Sequence, residues 1–227
     1  MPEGNHDFSL VHQVLLPHKA KDSVHPTILY LHGRGADEED LLGLSGAFDE
    51  RFLSIAVRAP YRFDYGGGYT WYDILELGKP KQDMFQSSYE KLSQFIDEAL
   101  AQYPVDPTRL FLFGFSMGTV MAYALALTRP ELFAGIVANS GYLAEQTHLN
   151  YEWSEIEGKP VLITHGRLDD VIPAAASKRA FELFQNAKTR VAYKEYDVAH
   201  QLSDRCVADI SAWLKERLDS KSTNIHA

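Results

Sequence analysis

Apolar residues recur along the chain in short continuous runs, separated by stretches in which they mark only one helical face. Thr27-Ile-Leu-Tyr-Leu31, Ser54-Ile-Ala-Val-Arg-Ala59, Phe133-Ala-Gly-Ile-Val-Ala-Asn139 and Pro160-Val-Leu-Ile-Thr164 are too short for helices and apolar nearly throughout. Such runs are the signature of strands buried on both faces. Arg109-Leu-Phe-Leu-Phe113 belongs with them, residues 190–196 form the last strand, and residues 8–16 open as an alternating strand with one wet face. Residues 86–103 put Leu92, Phe95, Ile96, Ala99 and Leu100 on one face of a helix. Residues 119–127 form an Ala- and Leu-rich helix ended by Pro130, and helices follow at 174–185 and 203–218. Strands interleaved with helices predict an α/β fold, a mostly parallel central sheet with helices on both faces. No repeat or Gly/Ser linker divides the chain, so residues 1–227 are expected to form a single domain with 221–227 a frayed polar tail. Two irregular stretches stand out, 61–81 and 142–159. The first carries Gly66-Gly67-Gly68 among dense aromatics, and long loops in a compact domain are often functional.

Composition narrows the function classes. With 45% hydrophobic residues, the 227-residue chain can bury a large core. Its net charge of −9, from 31 acidic against 22 basic residues, and its lack of a Lys/Arg cluster argue against a nucleic-acid partner. The single cysteine, Cys206, excludes an internal disulfide framework and fits a reducing compartment. The start of the chain is polar, and no stretch approaches the ~20 apolar residues of a membrane span. A cytoplasmic enzyme without stable membrane insertion is the expectation; a homodimer is compatible with the sequence.

The chemistry begins at Gly114-Phe-Ser-Met-Gly118, which follows a predicted strand and opens a predicted helix. This G-x-S-x-G pattern presents a serine on a sharp strand–helix turn for covalent acyl transfer. Composition alone produces it in roughly one chain in thirteen of this length, so the flanking strand and helix decide the matter. Glycines two before and two after Ser116 are needed because side chains there would collide with neighbouring backbone. The serine needs a base, and the base an orienting acid, each placed just past a strand end. Asp169 follows the strand at 160–164 and His200 follows the one ending at Tyr196, in the order Ser…Asp…His. Asp170 and Asp197 are rival acids, Asp170 also fitting a helix N-terminal role before Ala174; His148 is the rival base. His32 and His165 abut glycines at strand ends, where packing of the turn explains them. For the oxyanion, the amide of Met117 sits at the helix N-terminus, and His32-Gly-Arg-Gly35 offers the amide of Arg34. Asp37-Glu-Glu-Asp40 reads as the acidic first turn of the next helix. No His/Cys cluster suggests a metal, and no cofactor is expected.

The ordered set Leu31-His-Gly-Arg-Gly-Ala-Asp37, Gly114-Phe-Ser-Met-Gly118, His165-Gly-Arg-Leu-Asp169 and His200 resembles the phospholipase/carboxylesterase family of α/β hydrolases, which includes acyl-protein thioesterases and small bacterial esterases. The resemblance spans nearly the whole chain and implies the α/β-hydrolase fold. The family's H-G-x-x-D-x-x-V-P element matches residues 165–173 with Ile172 for valine, which selects Asp169 over Asp170. It also implies that the loop around Trp71-Tyr72-Asp73 lies near the acyl pocket, with Tyr69, Trp71 and Tyr72 as substrate-binding candidates. Met117 and Thr119 depart from the frequent G-F-S-Q-G-G, and Arg34 replaces an apolar residue, adding a positive group near the mouth. The expected function is a cofactor-free serine hydrolase cleaving carboxylic ester or thioester bonds of small to medium acyl substrates. The alternative is a lysophospholipase or acyl-protein thioesterase acting on long chains through an exposed groove at Tyr69 and Trp71. A non-catalytic binding module on the same fold is the reading outside that class.

Overall fold

In the computed structural model, residues 8–17, 24–76 and 78–220 are described. The expected frayed tail, 221–227, lies outside them. The central sheet has seven strands in the order β1-β3-β2-β8-β9-β10-β11. These are β1 (His12–Leu15), β2 (His25–Leu31), β3 (Leu53–Val57), β8 (Val105–Phe115), β9 (Gly135–Asn139), β10 (Pro160–Gly166) and β11 (Arg190–Tyr196). Only the edge strand β1 is antiparallel, to β3; the other pairings are parallel. Every residue of β2, β3, β9 and β10 is buried, as continuous apolar runs require. Alternation then sorts them between two cores. Leu29 and Leu31 of β2 join Ile55, Leu112 and Ile163 beneath α2 (Gln82–Gln102), α3 (Met117–Thr128) and α4 (Ala174–Asn186). Ile28 and Tyr30 join Phe111, Phe113, Leu162, Ile210 and Trp213 beneath α1 (Glu38–Leu42) and α5 (Asp204–Asp219).

Several boundaries differ from the sequence reading for local reasons. The strand expected over 8–16 shrinks to β1, because Phe8 stacks on Tyr103 and the Ser9 amide donates to Glu98 Oε2 (2.8 Å), turning the first residues onto α2. Helix α2 starts before Gln86, at Gln82, so that Phe85 already belongs to its buried face. The irregular stretch 61–81 folds into two short ribbons, β4 (Tyr61–Arg62) with β5 (Tyr69–Thr70), and β6 (Ile74–Glu76) with β7 (Lys79–Pro80). Asp37 caps α1 as its acidic run suggested, accepting from the Glu39 amide. Pro173 precedes α4 with no side-chain cap, so Asp170 does not fill the N-terminal role considered for it.

The chain leaves β2 for β3 on one side and later returns to β8 on the other. A crevice therefore opens beyond the carboxyl ends of β2 and β8, where open α/β sheets place their ligands. The loops that follow β2 and β8 carry residues 32–35 and Ser116.

Candidate active site

Ser116 sits between β8 and α3 with φ 54° and ψ −118°, a left-handed-side conformation that a non-glycine residue adopts only under constraint. The constraint is visible. A Cβ on Gly114 would lie 2.6 Å from the Thr119 backbone, and one on Gly118 would strike the carbonyls of Leu31 and His32. Both glycines are therefore steric necessities of the turn. The Ser116 amide donates to Asn139 O (2.9 Å), tying the turn to the end of β9. Thr119, one turn into the site, bonds Asn139 in both senses: its hydroxyl donates to Asn139 O at 2.7 Å and accepts from the Asn139 amide at 3.0 Å.

The structure brings the three residues read from the sequence into one array. Ser116 Oγ lies 2.8 Å from His200 Nε2, and His200 Nδ1 lies 2.7 Å from Asp169 Oδ2. Asp169 Oδ1 accepts from the amides of Val171 (3.0 Å) and Ile172 (2.8 Å), so its loop fixes the carboxylate plane. Asp169 has no exposed side-chain surface, whereas His200 keeps 17%, facing the crevice. Asp197 pairs instead with Arg167 (2.6 Å), and His148 is exposed in its loop. Neither rival reaches the array.

The residue 32–35 loop runs against the serine turn: a Cβ on Gly33 would lie 3.4 Å from Ser116 Cβ. Among the described residues, the amides of Arg34 and Met117 donate to no protein acceptor. His32 is buried, and burial pushes its imidazole below the ordinary histidine range. It accepts the Ala59 amide on Nε2 (3.0 Å), so its proton sits on Nδ1 and points at Gly33 O (2.6 Å). The Arg34 side chain is exposed, its guanidinium 5.2 Å over the Phe63 ring. The Met117 side chain turns inward, its sulfur 3.3 Å from Thr70 Oγ1.

Of the three candidate substrate contacts, Tyr69 and Trp71 brace this loop and Tyr72 packs beside them against Phe85 and Tyr142. Trp71 and Tyr72 are 0% exposed and pack in the core, so they line no open groove. The Trp71 indole N–H donates to His32 O at 2.9 Å, and the Tyr72 hydroxyl meets that of Tyr142 at 3.1 Å. Tyr69 forms an antiparallel bridge with Ala36, through Gly35 N to Tyr69 O (2.8 Å) and Tyr69 N to Ala36 O (2.8 Å). The Arg58 guanidinium covers the Tyr69 ring at 4.5 Å and forks onto Glu38. Burial alone would push the Glu38 carboxyl up, but the Arg58 hydrogen bonds, a backbone hydrogen bond and the Arg58 charge together outweigh it and hold it below the usual carboxylate range. Glu38–Arg58, Thr119 and Asn139 escaped the sequence reading. Only the burial of Glu38 inside an otherwise solvated acidic run could have singled it out. Among the described residues no group of three or more His, Cys, Asp or Glu could hold a metal ion.

The family model for phospholipases/carboxylesterases matches residues 17–218. A probable SOBER1-like carboxylesterase from Arabidopsis thaliana is 27% identical over 220 residues, covering 90% of this chain and 84% of the relative. Acyl-protein thioesterase 1 of Candida albicans is 29% identical, covering 85% and 92%. The crystal structure of a Bacillus cereus carboxylesterase superposes with a TM-score of 0.79 at 25% identity, covering 92% of this chain and 94% of that one.

Proposed function

The chain belongs to the phospholipase/carboxylesterase family of α/β hydrolases, and from that premise we propose that it hydrolyses carboxylic ester or thioester bonds through an acyl-enzyme on Ser116. The observation that carries this reading is the unbroken line from Ser116 Oγ to His200 Nε2 (2.8 Å) and from His200 Nδ1 to Asp169 Oδ2 (2.7 Å). A serine hydroxyl is a poor nucleophile, and an imidazole held in the Nδ1–H tautomer by a carboxylate takes its proton as the new C–O bond forms. The carbonyl oxygen becomes an oxyanion, which the Arg34 and Met117 amides bind; such preorganised donors are worth most where water is excluded. Collapse of the intermediate expels an alkoxide or thiolate, which leaves with the proton from His200. Water then attacks the acyl-enzyme by the reverse sequence and frees the acid.

The full burial of Trp71 and Tyr72 supports small to medium acyl groups over long chains, because neither side chain can line an open groove. The acyl-protein thioesterase alternative is supported by the several relatives of that name. The reaction takes place within one α/β-hydrolase unit and needs no cofactor. Its partner is the ester or thioester substrate rather than nucleic acid, a reading supported by the net charge of −9, and a homodimer is compatible with it. No described helix is long and apolar enough to cross a membrane, and the lone, buried Cys206 suits a reducing, cytoplasmic setting.

The test is Ser116→Ala assayed on nitrophenyl esters from acetate to palmitate and on the matching thioesters, with fluorophosphonate labelling in parallel. We expect kcat to fall by about 10⁴-fold or more and labelling to vanish. Near-full turnover in the variant would refute the mechanism, and rates that climb steadily to palmitate would move the substrate to long chains.

A further inference from the structure

A second histidine touches the acid of the array. His165, at the end of β10, has a fully buried side chain, and its Nε2 lies 3.2 Å from Asp169 Oδ2, the same oxygen that faces His200 Nδ1 at 2.7 Å. The protonation of His165 follows from its partners. Nε2 faces only acceptors, so it carries a hydrogen, which it donates to Ile172 O at 2.7 Å, with Asp169 Oδ2 beside that N–H at 3.2 Å. Nδ1 lies 2.5 Å from Ser177 Oγ in the first turn of α4, and Ser177 Oγ lies 2.8 Å from Gly141 O. Ser177 owns one proton. It donates to Nδ1 when the ring is neutral, and can turn to Gly141 O only if Nδ1 is itself protonated.

Desolvation pushes His165 below the ordinary histidine range, against the pull of Asp169. The ring is therefore neutral at neutral pH, with its single N–H donated to Ile172 O beside Asp169. The other titratable groups around it are His200, across Asp169, and Glu195, opposite His165 in the register of β11. Glu195 is itself engaged by Lys178 (3.0 Å) and Arg167 (3.3 Å). Among the described residues His200 is the donor to Oδ2, and His165 is the other N–H within 3.2 Å of it.

We propose that His165 is a positioning residue for the reaction: it holds Asp169 Oδ2 in line with His200 Nδ1 and, by setting the positive edge of its N–H beside that same oxygen, moderates the carboxylate's grip on the protonated base. The proposal rests on the roles given above to Ser116, His200 and Asp169. A carboxylate oxygen that already faces the positive edge of one N–H has less charge to offer a donor on its other side. Removing that N–H strengthens the bond to His200. His200 then holds its proton to higher pH, and the enzyme needs a higher pH to work.

The experiment is the pH profile of kcat/KM on a short nitrophenyl ester for the wild type, His165→Leu, His165→Gln and Ser177→Ala, with Ser116→Ala alongside. In His165→Leu the acid limb should move to higher pH by about half a unit or more, and kcat at the optimum should fall about tenfold as Asp169 loosens, the usual scale for an outer-sphere partner. His165→Gln, whose amide can donate from nearly the same place, should return the limb most of the way to its wild-type position. Ser177→Ala leaves Nδ1 without its partner and should shift the limb in the same direction by less; it decides the matter if the leucine variant does not fold. A rate loss with an unshifted limb in the folded His165 or Ser177 variants would overturn the proposal and leave the Ser116 mechanism standing. Activity in Ser116→Ala would instead overturn the mechanism itself.

Discussion

At the scale of single residues, the positions that depart from the family's frequent motif have structural work to do. Thr119, standing where a second glycine is common, holds Asn139 by both its amide and its carbonyl. Asn139 in turn donates from Nδ2 to Gly114 O (3.0 Å) and accepts the Ser116 amide, so the strained serine is held from two directions. Thr119→Val keeps the shape and deletes the hydroxyl, leaving the buried Asn139 amide without that acceptor. The expected loss is about 1–3 kcal/mol, read as a lower urea midpoint at unchanged slope. An unmoved midpoint would show that the serine turn holds without this pair. Met117 is the complementary case: its side chain is sequestered against Thr70, and only its amide remains at the crevice.

At the scale of elements, the hairpin that follows β3 determines whether the residue 32–35 loop is rigid. Its contacts are specific: the Tyr69–Ala36 bridge, the Trp71 N–H on His32 O, and Gly68, at φ +69°, lying where any Cβ would strike Gly35 O. Trp71→Phe retains the buried ring and removes the N–H. If the Arg34 amide is an oxyanion donor, a loosened loop should lower kcat about tenfold while KM changes less than about twofold, since a small misplacement acts mainly on the transition state. Steady-state kinetics on one ester suffice, and an unchanged kcat would assign the hairpin to stability alone. This element also marks how far the sequence could be read. The apolar runs located the central strands, and strand ends located Ser116, Asp169 and His200, because period and turn chemistry are local properties. The hairpin was legible only as an irregular, aromatic-rich loop. Whether Trp71 faces a ligand or a backbone carbonyl depends on a partner 39 positions away, as its bond to His32 shows, and no local pattern encodes that. His165 was read as packing for the same reason: its contacts with Ser177 and Asp169 appear only once β10 and α4 are side by side.

At the scale of the whole molecule, the site is enclosed by histidines that the fold keeps neutral, and this couples stability to pH. His32 and His165 are buried, and desolvation lowers both below the ordinary value of 6.5. In the unfolded chain they regain that value and take up protons as pH falls through it. Between the lowered folded value and about 6.5, the unfolded state therefore binds more protons, and stability rises with pH. The contribution is complete above that window and is lost progressively as pH falls through it. Each such histidine adds up to about 1.4 kcal/mol per pH unit inside the window. The half-buried His12, shifted in the same direction by its burial, adds a smaller part. Glu38, held low by Arg58, acts only further down: its stabilisation is present above the ordinary 4.5 and fades as pH falls through the lowered folded value. Between pH 7.5 and 5.5 the histidines are thus the groups that change, while the acidic excess behind the net charge of −9 stays largely ionised. The urea midpoint should drop on going from pH 7.5 to pH 5.5 at constant slope. His32→Gln, which can still accept the Ala59 amide but cannot be protonated, should flatten that drop relative to its own value at pH 7.5. A midpoint that holds or rises on acidification would mean that these rings gain protons in the folded state as readily as in the unfolded one.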